Sequence, residues 1–143
     1  MLFDIREEVE PVFTLKDLGE IYIIDDILNR GFPVMFLGYS PKKDRMYTFN
    51  LSDAMRDYYV EYVVFETTFN QIRRSNNYEI EAVELLYEAS LNDDLYLLML
   101  DRGGYEELEK YDFKDLDIEY IPQRGTYFRY NRDKINSKKS KKW

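Results

Sequence analysis

The chain contains neither cysteine nor histidine, and these two absences narrow the chemistry that it can perform. Histidine is the only side chain that titrates near neutral pH without perturbation, and it is the commonest transition-metal ligand. Without either residue a zinc or copper site loses its usual ligands, and Ser–His and Cys–His nucleophile pairs are impossible. The remaining chemistry is that of carboxylates, lysine, tyrosine and oxygen-ligated Mg²⁺, Mn²⁺ or Ca²⁺.

Long apolar runs and a leader pattern are also missing. The longest apolar stretch, Leu95 to Leu100, is far shorter than the roughly 20 residues that a membrane-spanning helix needs. The first ten residues show no basic segment followed by an apolar run, so we expect no signal peptide. The absence of cysteine fits a reducing compartment. We therefore expect a cytoplasmic protein that makes no membrane contact and carries no cofactor.

The charge of the chain is divided unevenly along its 143 residues. Residues 129–143 hold seven basic side chains and one acidic one, a net charge of +6, whereas the rest of the chain carries −14. An acidic body repels nucleic acid and membrane surfaces and attracts basic partners. The basic segment lacks apolar content and is predicted to be a disordered tail. It could touch nucleic acid or an acidic membrane, or serve only as a solubilising end.

The order of hydrophobic patterns predicts one α+β domain over residues 18–128, preceded by an arm or cap at residues 1–17. Four β-branched or aromatic runs joined by short turns indicate an antiparallel meander of about four strands: GEIYIIDDIL, FPVMFLGYS, RMYTFNL and YYVEYVVFE. Two helices are expected next, TFNQIRRSN capped by Thr67 or Thr68, then EIEAVELLYEAS. A buried strand LYLLML, a short acidic helix YEELEKY and a short strand DIEYIP complete the pattern.

This order of elements resembles an uncharacterised family of short bacterial and phage α+β domains of unknown function. The resemblance covers about residues 18–125. It rests on the element order, on the segment IEYIPQRG and on six residues of the first hairpin: Ile21, Tyr22, Asp25, Gly31, Pro33 and Phe36. The resemblance implies the fold order and no catalytic activity.

Glutamates and tyrosines supply the main candidate for a binding surface. Glu81, Glu84 and Glu88 fall within a narrow arc of the second predicted helix, where they form either a solvated face or a site for a basic partner. Tyrosine combines flat apolar area with a polar tip and is favoured at interfaces. The chain has fourteen tyrosines, and Tyr58 and Tyr62 share one face of a regular strand. We expect one face of that strand to expose aromatic rings among acids.

Two further pairs of charged residues are candidates for other chemistry. Arg73 and Arg74 could hold a phosphate or carboxylate, or pair internally with the surplus of acids. Asp25 and Asp26 could do acid–base work or hold Mg²⁺, or could simply discourage pairing at a strand edge. No spacing matches a calcium loop, and we predict no metal site.

These observations favour a non-enzymatic interaction protein that binds a basic protein partner, with a homo-oligomer also possible. An acidic surface of this kind would suit a phage-encoded inhibitor of a host defence nuclease. The alternative is a small-ligand binder such as a sponge for a nucleotide signal, in which tyrosines stack a base and Arg73 or Arg74 holds phosphate. A carboxylate enzyme that depends on Mg²⁺ is the second alternative.

Overall fold

The computed structural model describes residues 1–5, 10–52, 59–101 and 106–140, and within them a seven-stranded antiparallel sheet forms the centre of the protein. Every strand pairs with its neighbours in sequence. The strands are β1 (Phe13–Leu15), β2 (Gly19–Asn29), β3 (Pro33–Ser40), β4 (Arg45–Leu51), β5 (Tyr59–Thr67), β6 (Leu95–Asp101) and β7 (Glu106–Lys110). The α+β class and the meander are confirmed, but the predicted count of about four strands in the meander is too low.

The central strands are apolar on both faces. On β4 the side chains of Tyr47, Phe49 and Leu51 face one way, as their alternation predicts. Met46 and Thr48 face the other way and are buried too. An antiparallel sheet commonly has one face in water, and its strands then alternate apolar and polar residues. Here both faces are buried, and this explains the continuous apolar runs in the sequence.

One face is covered because the sheet curls over it. The ring of Phe13 on β1 lies 5.7 Å from that of Tyr62 on β5, although three strands separate them in the sheet. At the sheet's ends, the backbone N–H of Lys16 donates to a carboxylate oxygen of Glu106 at 2.6 Å, which brings the end of β1 to β7. We call the space enclosed by this curl the inner core.

Aromatic rings fill the inner core. Phe36 and Phe49 stack with centroids 4.6 Å apart and planes within 5°. Gly38 permits this packing, because a Cβ atom there would lie 2.8 Å from the Cγ2 of Ile21. Any side chain at this position would have to displace packed neighbours, and overpacking of a dense core is destabilising.

Helices cover the opposite, outer face. They are α1 (Phe69–Asn76), α2 (Ala82–Leu91) and α3 (Arg132–Lys138). Thr68 caps α1, since its side chain accepts from the Gln71 N–H while the Gln71 side chain accepts from the Thr68 N–H. The outer core beneath the helices includes Ile72, Leu85, Leu86 and Ile135. The prediction of α1 and α2 is therefore confirmed.

Two predicted elements after β6 have a different structure. The segment expected to be an acidic helix contains strand β7, whose Leu108 joins the inner core. Five residues are too few for a helix without tertiary support, whereas β6 offers them a free edge to pair with. The expected strand DIEYIP contains instead a 3₁₀ turn at Ile118–Tyr120. Another 3₁₀ turn precedes it at Phe113–Asp115, within a segment that crosses the outer face.

The expectation of a disordered tail is wrong as far as Ser140, and residues 141–143 lie outside the described residues. Asp25, which is 2% exposed at a bulge of β2, accepts a hydrogen bond from the Asn131 N–H at 2.7 Å. At the other end of α3, the Lys138 ammonium donates to the Ile23 and Ile24 carbonyls at 3.3 and 3.2 Å. These polar contacts, which apolar content cannot reveal, fix α3 over β2.

The N-terminal arm is also partly structured. Phe3 is buried, forms a β-bridge with Lys139 and packs edge-on against Tyr39 at 5.1 Å. Residues 13–15 of the predicted arm form β1. The N-terminal arm therefore contributes Phe3 to the outer core and β1 to the edge of the sheet.

Truncating the one buried aliphatic side chain of α3 tests its docking. Ile135 is 2% exposed, and Ile135→Ala should lower the free energy of unfolding by about 2–4 kcal/mol, because it leaves a cavity in the outer core. Urea unfolding followed by circular dichroism measures the change. Ser137, which is exposed on the same helix, gives the control, Ser137→Ala, with a change within about 0.5 kcal/mol. A loss as small as the control's for Ile135→Ala would contradict the docked helix.

Candidate functional site

The three glutamates predicted as an acidic patch on α2 are engaged within the protein. Glu81 accepts hydrogen bonds from the Gly125 N–H at 2.5 Å and from the Arg124 guanidinium at 3.1 Å. Glu84 reaches back to the Glu81 N–H at 3.0 Å and so closes the capping box of the helix. Glu88 lies 3.3 Å from Arg74. These carboxylates cap and pair within the helical layer, so they do not form a free acidic face.

Tyr62 does not lie on the surface. It is 2% exposed in the inner core, and its hydroxyl donates to the Pro33 carbonyl at 2.5 Å. Burial raises the pKa of Tyr62 to about 12. Its prediction as a surface residue is wrong because the curl covers the face of β5 that was expected to be open. Tyr58 lies outside the described residues.

The two arginines of α1 point to different places. Arg74 pairs with Glu88 and ties α1 to α2. Arg73 is exposed, donates to the Asn70 side chain at 2.8 Å and lies 3.5 Å from Glu79. Arg73 also lines a cleft that Arg74 does not reach. The predicted pair therefore separates into one residue that links helices and one that faces a cavity.

Asp25 and Asp26 serve the fold. Burial raises the pKa of Asp25, although the Asn131 N–H and the nearby ammonium groups of α3 oppose that shift. Asp26 accepts from the Asn29 side chain at 3.0 Å in the hairpin that follows. Over the described ranges of the chain, no group of three or more acidic side chains is arranged to hold a metal ion. None of the helices described there is long and apolar enough to cross a membrane.

An exposed apolar surface lies on α2 and the segment after β7. Tyr87 and Leu91 are 51% and 66% exposed and share one helix face, because they are four residues apart. The Tyr87 ring meets the Phe113 ring edge-on at 5.7 Å. Ile118, at the second 3₁₀ turn five residues after Phe113, is 87% exposed. The Tyr87–Phe113 contact joins α2 to this segment, and we call these four residues, with the acids described next, the α2–turn surface.

Acidic side chains accompany this surface. The segment from 112 to 119 is held at two points, where the Phe113 N–H donates to the Ser90 hydroxyl at 2.8 Å and where Leu116 is buried. The other side chains of the segment point outward and carry four acids against one lysine: Asp112, Asp115, Asp117 and Glu119 against Lys114. Among the residues that the structure describes, none of these four carboxylates forms an ion pair. The α2–turn surface is thus apolar in composition and strongly negative in charge.

A second cluster of interest closes one end of the inner core. Glu66 on β5 hydrogen-bonds to Asp94, which precedes β6, and Arg45 lies 3.7 Å from Glu66 and 3.8 Å from Asp94. Burial, followed by the hydrogen bond and charge of Asp94, raises the pKa of Glu66 to about 7, while Arg45 opposes the shift. The surroundings of Glu66 therefore favour its protonated form up to about neutral pH.

Tyrosines border this carboxyl pair. Tyr47 lies directly opposite Glu66 in the sheet, and Tyr96 lies on the same inner face. Burial raises the pKa of both hydroxyl groups, and the charges of Glu66 and Asp94 add to the shift. Lys110 lies 6.0 Å from the Tyr96 ring, and Asp17 adds a more distant negative charge. Glu66, Asp94 and the two tyrosines thus form one polar cluster at the edge of the inner core, in which Glu66 has the most perturbed carboxyl group.

The chain matches no protein-family model, and comparisons with curated proteins and with solved structures find no significant similarity. The resemblance to short bacterial and phage domains therefore stays a prediction.

Sequence reasoning missed the residues of the α2–turn surface. Leu91 is the last residue of α2, and only the structure shows that its side chain is 66% exposed. Ile118 lies in the segment predicted to be a strand, so its exposure at a 3₁₀ turn was not expected from the sequence. Glu66 and Asp94 gave no signal, since their proximity depends on strand register.

The Glu66–Asp94 pair predicts a pH-dependent stability. The pKa of Glu66 is about 7 in the folded protein and near 4.5 when unperturbed, so the folded state retains a proton that the unfolded state has lost between these values. Stability therefore falls as the pH rises from 4.5 through 7. With the side chain 24% exposed and partly screened by solvent, we expect a loss of about 1–2 kcal/mol.

Glu66→Gln should remove this dependence, because a neutral amide can donate to Asp94 at every pH. We expect the variant to be more stable than the parent at pH 8 and nearly equal at pH 5, as measured by urea unfolding at each pH. Glu10→Gln, at an exposed position, is the control and should keep the parent's profile. A parent whose stability does not fall over this range would refute the raised pKa of Glu66.

Proposed function

We propose that the protein is a non-enzymatic interaction protein that binds a basic protein partner through the α2–turn surface. The observation that supports this most is the 87% exposure of Ile118 between two acidic residues. A scattered exposed leucine needs no explanation, but exposed apolar side chains grouped with acids mark the composition of an interaction site.

The charge of the surface defines the partner. Four carboxylates without ion partners among the described residues would repel an acidic surface, would lose hydration against an apolar one, and would attract lysine and arginine. Apolar side chains supply affinity when they are buried, and the surrounding charges supply specificity and association rate. The partner is therefore a protein whose basic residues surround an apolar patch, such as the wall of a nucleic-acid-binding groove.

The proposal keeps the predicted partner class and replaces the predicted residues. Glu81, Glu84 and Glu88 support the helical layer, and Tyr62 supports the inner core. Tyr87 belongs to the same helix as the three glutamates and is half exposed. The binding residues thus come from the end of α2 and from the turns, where the fold leaves apolar atoms uncovered.

A synthetic peptide with one helical face of leucine and one of lysine tests the proposal. We expect fluorescence anisotropy to detect saturable binding that weakens in about 0.5 M NaCl, since salt screens exposed charges. The double substitution Leu91→Ser with Ile118→Ser should weaken binding at least about tenfold, because it removes two apolar anchors. Both side chains are exposed, so the fold should tolerate the change.

A matched control uses the other exposed apolar residues of the chain. Leu28→Ser with Phe32→Ser alters the β2–β3 hairpin, where these residues are 43% and 40% exposed, and binding should stay within about twofold. A peptide in which glutamate replaces lysine should not bind. Equal loss in both double variants, equal binding of the two peptides, or no binding of the lysine peptide at all would overturn the proposal.

A further inference from the structure

A cleft between α1 and α3 is lined by cations. Its volume is about 230 Å³. The charged side chains that line it are Arg73 from α1 and Arg132 and Lys139 from the C-terminal segment. The chain as a whole is acidic, with 28 acidic and 20 basic residues. The lining of this cavity has the opposite charge, because it contains three cations and no carboxylate.

The rest of the lining combines apolar and amide groups. Phe69, Ile72 and Ile135 form its apolar part, and three asparagines contribute amides: Asn76, Asn77 and Asn136. Asn76 is held in place, because its side chain accepts from the Tyr130 N–H at 2.8 Å and donates to the Tyr130 carbonyl at 3.0 Å. The wall of the cleft is therefore fixed by the contact between α1 and the segment that leads into α3.

The cations differ in how far they are neutralised. Arg73 shares its charge with Glu79, both groups being more than half exposed, at 3.5 Å. Neither Arg132 nor Lys139 has an acidic partner in the part of the chain that the structure describes. The Lys139 ammonium lies 4.2 Å from the centroid of the Phe69 ring, a cation–π contact that holds it at the cleft. Among the described residues, two positive charges at this cavity therefore have no acidic counter-ion.

We infer that this cleft binds a small organic phosphate, with its phosphate group among Arg73, Arg132 and Lys139 and its organic part against the apolar residues of the lining. Arginine presents a planar fork of donors that matches phosphate oxygens, and lysine adds a point charge. A cavity of this volume is small by the standard of ligand pockets, so it suits a compact ligand. This site is separate from the α2–turn surface and does not depend on the proposed partner.

A single-stranded nucleic acid is the competing occupant. It would need a continuous basic and aromatic track, with several bases stacked in succession. Tyr78 and Arg129 lie beyond the cleft along the chain, but the Arg129 guanidinium covers the Tyr78 ring at 4.8 Å and donates to its hydroxyl. That ring face is therefore already occupied, which favours a ligand confined to the cleft.

Isothermal titration calorimetry with three probes tests the inference: adenosine monophosphate, glucose 6-phosphate and inorganic phosphate. We expect at least one organic phosphate to bind saturably and at least about tenfold more tightly than inorganic phosphate, because the organic part adds apolar contact. Arg132→Gln and Lys139→Gln should each weaken that binding about tenfold, the effect of losing one charged hydrogen bond. Arg30→Gln, an exposed cation at the β2–β3 turn, should change it less than about twofold.

Three results would overturn the inference. The first is no saturable binding of any probe at millimolar concentration, and the second is an equal effect of all three substitutions. The third is binding of a deoxythymidine oligonucleotide, with a strong dependence on salt, when no mononucleotide or sugar phosphate binds. Thermal unfolding of each variant without ligand checks that the fold is retained. Two-dimensional NMR should place the shifted side-chain amides at Asn76, Asn77 and Asn136.

Discussion

The fold depends on one constraint: the sheet is apolar on both faces, so both must be removed from water. Burying apolar area is the main favourable contribution to folding, and it applies to each face separately. The sheet covers its inner face by curling until Phe13 on β1 meets Tyr62 on β5. It covers its outer face with three helices and the turns between residues 111 and 121. The described part of the C-terminal basic segment is structured because its apolar residues, among them Tyr130 and Ile135, are buried against the outer face.

The need to cover both faces also explains a buried charge. Asp25 would be costly in an apolar environment, because an isolated carboxylate loses its hydration. Its position at a bulge of β2 gives it the Asn131 N–H, and the ammonium groups of Lys134 and Lys138 lie near enough to favour its charged form. The acidic body and the basic end are thus joined in one electrostatic contact. The division of charge along the sequence therefore serves an interaction within the molecule, in addition to any role in binding a partner.

Local structure could be predicted well from the sequence, whereas the curling of the sheet could not. A cap at Thr67 or Thr68 was predicted because capping depends on neighbouring residues, and the structure shows that it is Thr68. The alternation in β4 likewise predicted which side chains share a face. Curling, in contrast, depends on contacts between distant strands such as the one between Lys16 and Glu106, which no local pattern contains. The candidate site shows the same division. Arg73 was found from its type alone, whereas Arg132 and Lys139 required the knowledge that residues 132–138 form a helix.

The net charge of −8 describes neither of the two surfaces. α3 lies over β2, whereas α2 lies over β5 and β6, so about three strand spacings, or roughly 14 Å, separate these two helices along the sheet. Exposed charges interact over a Debye length of about 8 Å at physiological ionic strength, which is shorter than this spacing. The charge that α3 brings to the cleft, Arg132, is therefore largely screened from the acids beside α2, whereas Arg73 lies nearer to them because its helix pairs with α2 through Arg74 and Glu88. One small domain can thus carry a positive cavity and a negative surface, because its sheet spaces the helices that form them.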